Sequence, residues 1–477
     1  MTVARDGRRA KIVATLGPAS WDRETLAELV RAGIDVARLN LSHGTPDQWA
    51  RAVRSAREIA QAEGRCLAVL ADLQGPRIRV GALETPRTLS AGDRVLLVPE
   101  GQGSGADEEI PVTYADLAEE LAPGNRILMD DGLVELEVER VEPPRLYARV
   151  VAGGTVRGGK GINLPGVALR VPSLTEKDLV DLEKAVELDV DYVALSFVRR
   201  AEDVLELRKR LAKEILIVAK IEKDAALENL EEILEAADAI MVARGDLGAE
   251  LPFERVPLAQ KAMIRLANAR QRPVITATQM LESMVQHPRP TRAEVSDVAN
   301  AVLDGTDAVM LSAETATGGH PVRAVEAMNR IIREIEGSVA AQGPNYDVPL
   351  RARPPGRLGT EVAVSAAAVA AVSMLNAPAI ACFTKSGFTA RVVSSQRPPV
   401  PVVTVTDSVR TWRQLALVWG VRPVLCEEEA NYENMLKAAR AALLEGGLAR
   451  PGDRIVVTFG FPFQVRGTTN TLRIEEV

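Results

Sequence analysis

The sequence predicts an α/β protein built on a (β/α)8 TIM barrel, with an all-β lid domain inserted after the third strand and an α/β domain at the C-terminus. Three observations predict it: eight short apolar runs, helical patterns that alternate with them, and a single interruption of this alternation. Apolar strands alternating with helices are typical of a parallel sheet covered on both faces, and eight such units close into a barrel. We assign residues 1–73 and 171–345 to the barrel, 74–170 to the insertion and 346–477 to the C-terminal domain.

The barrel elements are read from the hydrophobic pattern. Each predicted strand is a run of four to six residues, too short for a helix and rich in Val, Ile and Leu. The predicted strands are Lys11–Leu16, Val36–Leu41, Leu67–Asp72, Tyr192–Phe197, Leu216–Ile221, Ala239–Ala243, Pro273–Ala277 and Ala308–Leu311. The predicted helices are Thr25–Arg31, Pro46–Ala62, Thr175–Leu188, Ala201–Leu211, Ala225–Glu235, Pro257–Arg270, Arg292–Leu303 and Val322–Ile335.

The insertion and the C-terminal domain have their own patterns. From about Gln74 to Arg170 the chain has short strands and Gly-containing turns, which indicates an all-β segment. Because the loops at the carboxyl ends of barrel strands form the active-site face, this segment is predicted to cover the site as a lid. The Arg-, Pro- and Gly-rich linker Arg351–Gly359 precedes the C-terminal domain. Its predicted strands are Ala379–Phe383, Val402–Val405, Arg422–Leu425 and Arg454–Phe459.

Composition excludes several classes of protein. With 477 residues, 47% of them hydrophobic and 26% charged, the chain is globular and neither fibrous nor disordered. A net charge of −7 and only 3% aromatic residues argue against nucleic-acid polymers as partners. The three cysteines lie in apolar runs, as reduced thiols do in a cytosolic protein. Lysine is scarce, at 11 of the 58 basic residues, so a lysine in an apolar stretch is unusual here.

Neither a leader peptide nor a membrane span is expected. Residues 1–10 are polar and basic, without the apolar core of a signal peptide. Residues 362–383 carry no charge over 22 positions, but they are Ala-rich and interrupted by Ser365, Ser373, Asn376 and Pro378. Alanine inserts weakly into membranes, so this segment predicts a buried helix, a turn and a strand. We therefore expect a cytoplasmic protein that does not bind membranes.

Polar residues gather where the predicted strands end, which is where barrel enzymes carry their catalytic groups. They are Arg38, Asn40 and Ser42 after strand two, Asp72 after strand three, Lys220 and Glu222 after strand five, Asp246 after strand six, Thr278 after strand seven, and Ser312 and Glu314 after strand eight. Taken singly, Lys-x-Glu is typical of a surface ion pair, Arg-Gly-Asp of a turn, and Asn-x-Ser of a helix cap. Their convergence on one rim favours a site.

The residue types at this rim indicate phosphate or enolate chemistry. Glu222 and Asp246 are oxygen ligands from adjacent strands, and they suit Mg²⁺ or Mn²⁺. Lys220 beside a metal can stabilise charge on a transferring phosphoryl group or an enolate oxygen. Arg38 can hold a phosphate with its planar guanidinium. With only three histidines in the chain, His-based metal sites are poorly supported.

Nine stretches, most of them in order along the barrel, carry a family resemblance. They are Lys11–Ser20, Ala37–Gly44, Lys220–Glu222, Met241–Gly248, Thr276–Met284, Pro288–Asp304 and Met310–Thr315, with Lys160–Gly166 in the insertion and Gly467–Asn470 near the C-terminus. Together they resemble the pyruvate kinase family. The resemblance implies transfer of the phosphoryl group of phosphoenolpyruvate to ADP, giving pyruvate and ATP, the last step of glycolysis.

The resemblance also implies roles at the catalytic rim. Lys220 would stabilise the transition state, and Glu222 and Asp246 would hold the divalent ion. Arg38 would contact the phosphoryl group. The amides of Gly245 and Asp246 would bind the substrate carboxylate near a helix N-terminus. The remaining implied catalytic residue is Thr278, near the methylene carbon that gains a proton.

Further positions match the nucleotide and a monovalent cation. Those matching the nucleotide side are Asn40, Leu41, Ser42, His43, Arg79 and Lys160, and a second Mg²⁺ would arrive with the nucleotide. Those matching K⁺ ligands are Asn40, Ser42, Asp72 and the carbonyl of Leu73. Many relatives have an acid where this chain has Arg77. Our hypothesis is that the Arg77 guanidinium partly substitutes for K⁺.

The C-terminal domain contains a predicted effector loop between a strand and a helix. Its hydroxyls, lysine and free helix N–H groups suit a phosphate, whereas the plain alternative is an ordinary helix cap. The loop residues are Thr384, Lys385, Ser386, Gly387 and Thr389. Relatives bind phosphorylated sugars or nucleotides there, and the family is typically a homotetramer, so we expect a phosphorylated allosteric effector and a homotetramer.

Two other functions remain as alternatives. A barrel lyase or aldolase that uses a pyruvate enolate with Mg²⁺ would need the carboxylates, but neither Lys160 nor the row formed by Arg38, Asn40 and Ser42. A non-catalytic metabolite sensor would lack Lys220 or a metal carboxylate, and this chain has both.

Overall fold

The computed structural model describes residues 7–104, 106, 108–130, 132–167, 170–342, 359–428, 431–462 and 467–477. Eight parallel strands close into a barrel, with Lys11 of the first opposite Ala308 of the eighth. The strands are Lys11–Leu16, Val36–Asn40, Ala68–Asp72, Tyr192–Leu195, Leu216–Ile221, Ala239–Ala243, Val274–Ala277 and Ala308–Leu311. The predicted barrel is confirmed. The predicted boundary at 345/346 and the linker before Gly359 lie outside the described residues.

Helices surround the barrel and bury its outer face. They are Arg23–Ala32, Pro46–Ala62, Glu176–Glu187, Ala201–Arg210, Asp224–Glu228, Leu230–Ala236, Arg244–Glu250, Val256–Ala269, Arg292–Leu303, Ala313–Ala316 and Pro321–Gln342, with 3₁₀ turns at Phe253–Arg255 and Glu282–Val285. Several begin at a capping box, as at Thr45, Thr175 and Thr291.

The single helix predicted over Ala225–Glu235 is wrong. The chain forms two short helices that meet at Asn229. The Asn229 side chain donates to the carbonyls of Arg199 and Ala225, at 3.0 Å each. The backbone N–H of Asn229 also donates to the Ala225 carbonyl, at 3.3 Å, so side chain and backbone share this acceptor. Such competition is why Asn is a poor residue for a helix interior.

The insertion forms two sheets around a core of its own. Its strands are Arg87–Leu89, Arg94–Pro99, Glu109–Val112, Arg126–Met129, Val134–Glu142, Arg145–Ala152, Gly154–Val156 and Ile162–Asn163, with a short helix at Leu117–Glu120. Six strands make one sheet and two make the other. Single bridges from Arg79 to Gly161 and from Val80 to Val112 connect the two edges of the larger sheet. The lid is therefore a curved sheet joined at its edges by bridges.

One buried carboxylate holds both connections between the insertion and the barrel. Asp178 Oδ1 accepts the Gly75 N–H at 3.1 Å on the outgoing connection. Its Oδ2 accepts the Thr175 N–H at 2.9 Å and the Thr175 hydroxyl at 2.6 Å on the returning one. Gly75 has φ +69°, and a Cβ there would lie 2.7 Å from the Phe197 ring, so only glycine fits at this position.

The C-terminal domain is a five-stranded sheet with helices. The helices are Thr360–Leu375, Phe388–Ser395, Val409–Gln414 and Tyr432–Glu445, with a 3₁₀ turn at Leu415–Leu417, and the strands are Ile380–Phe383, Val402–Thr406, Val421–Leu425, Arg454–Phe459 and Thr471–Glu476. The last strand, which is antiparallel, was not predicted. Ala416 and Leu417 pack among the side chains inside the barrel and close it at the amino ends of the strands. We call this the lower end of the barrel, and the end at the carboxyl ends of the strands the upper end.

The uncharged stretch at residues 362–383 and the three cysteines largely have the structure that the sequence predicts. The stretch forms a helix, a turn with Asn376 at φ +48°, and a strand. In the described part of the chain, no helix combines the length and the apolar character needed to cross a membrane. All three cysteines are free, and Cys66 is only partly buried, with its thiol donating to the Trp412 carbonyl.

Candidate active site

The carboxyl ends of the barrel strands bring two cations and two carboxylates together below the surface. Lys220 Nζ lies 2.8 Å from Glu222 Oε1 and 3.3 Å from Asp72 Oδ1. Arg38 Nε donates to Asp72 Oδ2 at 2.7 Å, and Nη1 donates to Thr15 Oγ1 at 2.8 Å. These buried charges form one connected group in which Asp72 lies between the two cations.

Lys220 stays charged in spite of its burial. Burial alone disfavours the ammonium, but the carboxylates of Asp72, Glu222 and Asp246 outweigh it and raise the pKa of Lys220 above its ordinary value. In the opposite sense, burial disfavours the Asp72 carboxylate, yet Lys220 and Arg38 keep its pKa below the usual range. The ammonium of Lys220 is therefore a compact positive charge within this group.

Glu222 and Asp246 form a carboxylate pair with excess negative charge. Burial and the charge of Asp246 raise the pKa of Glu222, although Lys220 acts in the opposite sense. Glu222 Oε2 accepts the Phe197 N–H at 2.7 Å, which fixes its orientation. A divalent cation would relieve this repulsion, so the donor set fits Mg²⁺ or Mn²⁺. Among the described residues, no group of three or more His, Cys, Asp or Glu could hold a metal ion, so the other ligands would come from substrate or water.

Thr278 directly follows the seventh strand and has an unusual backbone conformation. Its φ of +63° lies in the left-handed region, which costs about 1–3 kcal/mol and is rare for a β-branched residue. Its Oγ1 accepts the Gly245 N–H at 2.9 Å and donates to the Ala277 carbonyl at 2.7 Å. Gly245 and Asp246 open the short helix Arg244–Glu250. The Thr278 hydroxyl and the predicted carboxylate-binding amides are therefore neighbours.

The turn after the second strand is fixed by bonds to two other elements. Within the turn, Asn40 Oδ1 accepts the Ser42 N–H at 3.2 Å. The Leu41 N–H donates to the Asp72 carbonyl at 3.0 Å, and the Leu41 carbonyl accepts Lys177 Nζ at 2.9 Å. The predicted nucleotide-side turn is thus tied to the third strand and to the helix that follows the insertion.

His43, Arg77 and Leu73 lie near the same turn. Burial lowers the pKa of His43, and the positive charges of Arg77 and Arg79 lower it further. The Arg77 side chain is exposed. The Leu73 carbonyl accepts the Ser196 hydroxyl at 2.7 Å. Arg77 therefore contributes positive charge near His43.

Two side chains at the rim were missed in the sequence. The Ser196 hydroxyl accepts Lys220 Nζ at 2.7 Å, and Thr15 supports Arg38. Both could have been found by the signal used for the others, because Ser196 directly follows the fourth strand and Thr15 lies near the end of the first. Of the predicted pair after strand eight, Glu314 is buried and accepts the amides of Ser312 and Leu281, so it braces loops.

Two family models match nearly the whole chain. The pyruvate kinase barrel domain matches residues 7–325, and the pyruvate kinase alpha/beta domain matches residues 362–475. The chain belongs to the pyruvate kinase family. It is accordingly an enzyme, a phosphotransferase of glycolysis with pyruvate kinase function.

Curated relatives are similar over almost the full length of this chain. A pyruvate kinase of Agrobacterium vitis is 44% identical over 475 residues, which cover 99% of this chain and 98% of the relative. A pyruvate kinase of Geobacillus stearothermophilus is 42% identical, covering 98% of this chain and 80% of the relative. A pyruvate kinase of Mycobacterium tuberculosis (strain ATCC 25618 / H37Rv) is 42% identical over 98% of both.

A cavity of about 850 Å³ separates the insertion from the barrel loops. Its wall includes Arg79, Lys160 and Asp246, whereas Lys220 and Glu222 lie outside it. In this pyruvate kinase barrel the cavity therefore borders the group of charges at the strand ends without enclosing its centre. Lys160 Nζ lies 2.9 Å from Asp130 Oδ1, and Arg79 Nη1 donates to the Gly159 carbonyl at 2.8 Å.

The predicted effector loop is more closed than its sequence indicates. The space within it is about 20 Å³, room for one water molecule but not for a sugar phosphate. The Thr389 hydroxyl is buried and shares a 2.8 Å hydrogen bond with Thr469. Lys385 Nζ lies 3.6 Å from Asp407 Oδ2, with its side chain 30% exposed. Lys385 is therefore more accessible than Thr389.

Proposed function

We propose that Lys220 is the central group in phosphoryl transfer from phosphoenolpyruvate to ADP. Its support is the position of the ammonium, 5% exposed and held by Asp72, Glu222 and Ser196. A buried charge that is already oriented stabilises negative charge developing on a phosphoryl group or an enolate oxygen better than a solvated charge does. Because its partners fix Lys220 before substrate binds, little reorganisation accompanies the reaction.

Arg38 and Thr278 are the other two catalytic residues of this proposal. Arg38 is anchored by Asp72 and Thr15, and its guanidinium would contact the phosphoryl group. Thr278 would stand at the methylene carbon, which gains a proton when the enol becomes the ketone. The amides of Gly245 and Asp246 would bind the substrate carboxylate. Since the Gly245 N–H donates to Thr278 Oγ1, substrate binding would share or replace that bond.

Glu222 and Asp246 would hold the divalent ion, Mg²⁺ or Mn²⁺. When bound, this ion neutralises charge on the phosphoryl oxygens and on the enolate. The Phe197 amide and Lys220 orient the Glu222 carboxylate for this role.

The nucleotide would bind between the insertion and the turn after the second strand. The residues assigned to it are Asn40, Leu41, Ser42, His43, Arg79 and Lys160. Arg79 and Lys160 line the large cavity and supply positive charge opposite the barrel rim. A second Mg²⁺ would arrive with the nucleotide.

Arg77 would partly replace K⁺ at the monovalent position, which comprises Asn40, Ser42, Asp72 and the Leu73 carbonyl. Its effect on the pKa of His43 supports a positive field at this turn. With tetramethylammonium in place of K⁺, the enzyme should keep most of its activity, whereas Arg77→Glu should become K⁺-dependent. Loss of nearly all wild-type activity would refute this role.

The effector loop, the assembly and the compartment are further parts of the proposal. Lys385 would contact a phosphorylated effector after the loop opens, and the enzyme would be a cytoplasmic homotetramer. Titration with phosphorylated sugars and AMP should activate the wild type but not Lys385→Met. If no such ligand activates the wild type, the effector site is wrong.

Pyruvate formation from phosphoenolpyruvate and ADP tests the catalytic proposal. Lys220→Met should abolish it while the protein stays folded. Lys11→Met is the matched control, because Lys11 is also buried in a barrel strand but donates to the Val421 carbonyl at the opposite end. Aldol cleavage without phosphoryl transfer would instead support the lyase alternative, and ligand binding without turnover would support the sensor.

A further inference from the structure

The strained backbone at Thr278 needs support from its surroundings. Thr278 and Gln279 both have positive φ, at +63° and +55°. Left-handed conformations at residues other than glycine persist only where neighbouring groups fix them. The groups that hold this turn therefore decide where the Thr278 hydroxyl lies.

Arg244 supplies most of that support. Its Nη2 donates to the Thr278 carbonyl at 2.6 Å, and its Nε donates to the Ala277 carbonyl at 3.2 Å. Two successive carbonyls at the end of the strand are thus bound by one guanidinium. The next residue along the chain, Gly245, donates its N–H to the Thr278 hydroxyl. The loop after strand six therefore holds both the backbone and the side chain of Thr278.

Arg244 is itself fixed from the other side. It is 9% exposed, and its Nη1 lies 2.7 Å from Asp297 Oδ1 on the helix Arg292–Leu303. Gln260 Oε1 is a weaker partner at 3.4 Å. The carboxylate offsets the cost of burying the guanidinium and sets its plane. Lysine has a single ammonium and cannot reach two carbonyls and a carboxylate in this geometry.

We propose that Arg244, braced by Asp297, is a positioning residue that holds Thr278 at the carbon receiving the proton. The inference rests on the role proposed above for Thr278 and deepens it. Arg244 does not touch the substrate in this role. It holds the Thr278 hydroxyl at a fixed distance from the Gly245 amide. One substrate molecule can then place its carboxylate at the amide and its methylene carbon at the hydroxyl.

The test separates proton transfer from phosphoryl transfer. Exchange of the C3 protons of pyruvate, followed by NMR in D₂O with Mg²⁺ and inorganic phosphate, reports the proton step alone. In Arg244→Lys the exchange rate should fall about 10- to 100-fold, since misplacement by about 1 Å can cost that much. In Asp297→Asn the exchange rate should fall less, because the contacts of Arg244 with the two carbonyls remain. The KM for phosphoenolpyruvate should change less than either rate.

Arg272→Lys is the matched control. Arg272 also bonds two successive carbonyls, those of Leu234 and Glu235, but at the lower end of the barrel. The Arg272→Lys substitution should leave both the exchange rate and the KM for phosphoenolpyruvate unchanged. Normal exchange in Arg244→Lys, or an equal loss in Arg272→Lys, would overturn the inference.

Thr278→Val distinguishes this inference from the proposal on which it rests. Slow exchange in Thr278→Val, with no further loss in the double variant with Arg244→Lys, is the expected result. Full exchange in Thr278→Val would overturn the role of Thr278 and the inference with it. If Thr278→Val is slow but Arg244→Lys is normal, only the inference fails.

Discussion

The two ends of the barrel both contain buried cations and carboxylates, but they use them differently. At the lower end, Asp307 accepts the Val274 N–H and the Trp419 N–H and pairs with Arg397 at 3.2 Å. At the upper end, Glu222 lies beside Lys220 with a second carboxylate, Asp246, close enough to raise its pKa.

The difference lies in what completes each group. The lower end is closed by Ala416 and Leu417, and its charges are met by fixed partners from both domains. The upper end opens toward the insertion, and Lys220 offsets only part of the repulsion between its two carboxylates, Glu222 and Asp246. We infer that the same residue types contribute to stability at one end, and that at the other they would bind the proposed ligand at some cost in stability.

The largest effect that would test this contrast is expected for Glu222→Gln. Activity should fall about a thousandfold, or about 4 kcal/mol, because a ligand of the divalent ion is lost. Binding of Mn²⁺, measured by EPR, should weaken in parallel. The free energy of unfolding in urea without metal should not fall, since burial and Asp246 already disfavour the charged carboxylate. A large loss of stability would remove the contrast between the two ends.

Asp307→Asn should give the opposite pattern. It leaves Arg397, whose side chain is 4% exposed, without its carboxylate. The free energy of unfolding in urea should fall by about 3–5 kcal/mol, while kcat of the folded enzyme changes less than about twofold. Glu231→Gln is the control, because the exposed pair of Glu231 with Arg270 should contribute less than about 1 kcal/mol. A strong loss of kcat with unchanged stability would contradict the structural role of the lower end.

The smallest effect concerns Glu336, the acid at the lower end that accepts the N–H groups of Arg9 and Ala10. Burial raises the pKa of Glu336 in spite of these bonds. Its contribution to stability is therefore fully present below the unfolded pKa of about 4.3 and is lost as the pH rises through the folded pKa. Urea midpoints of the wild type should fall relative to Glu336→Gln as the pH is raised from about 4. A constant difference across this range would show that burial does not affect this carboxyl.

The barrel was predictable because its strands are buried on both faces and appear as continuous apolar runs. The same reasoning fails for Thr471–Glu476, an antiparallel edge strand with alternating polar residues. It also fails for short strands of the insertion such as Glu109–Val112, which contains Pro111. These strands are defined by their partners in the sheet, which a local pattern does not contain.

The predictable part of the site consists of the polar and charged side chains at the ends of the strands. Lys220, Arg38 and Glu222 lie together as expected. The left-handed backbone of Thr278 and the carbonyl contacts of Arg244 were not predictable, because they depend on backbone geometry across two loops. The scarcity of lysine in the chain indicated only part of this site.

The carboxylate of Asp178 has a consequence for motion. It binds the outgoing connection at Gly75 and the returning one at Thr175, and the insertion has a core of its own. Since one carboxylate bonds both chain connections, we expect the insertion to move relative to the barrel as a unit, by a rotation centred near Asp178. Such a rotation changes the distance from Lys160 to the barrel rim without breaking either hydrophobic core.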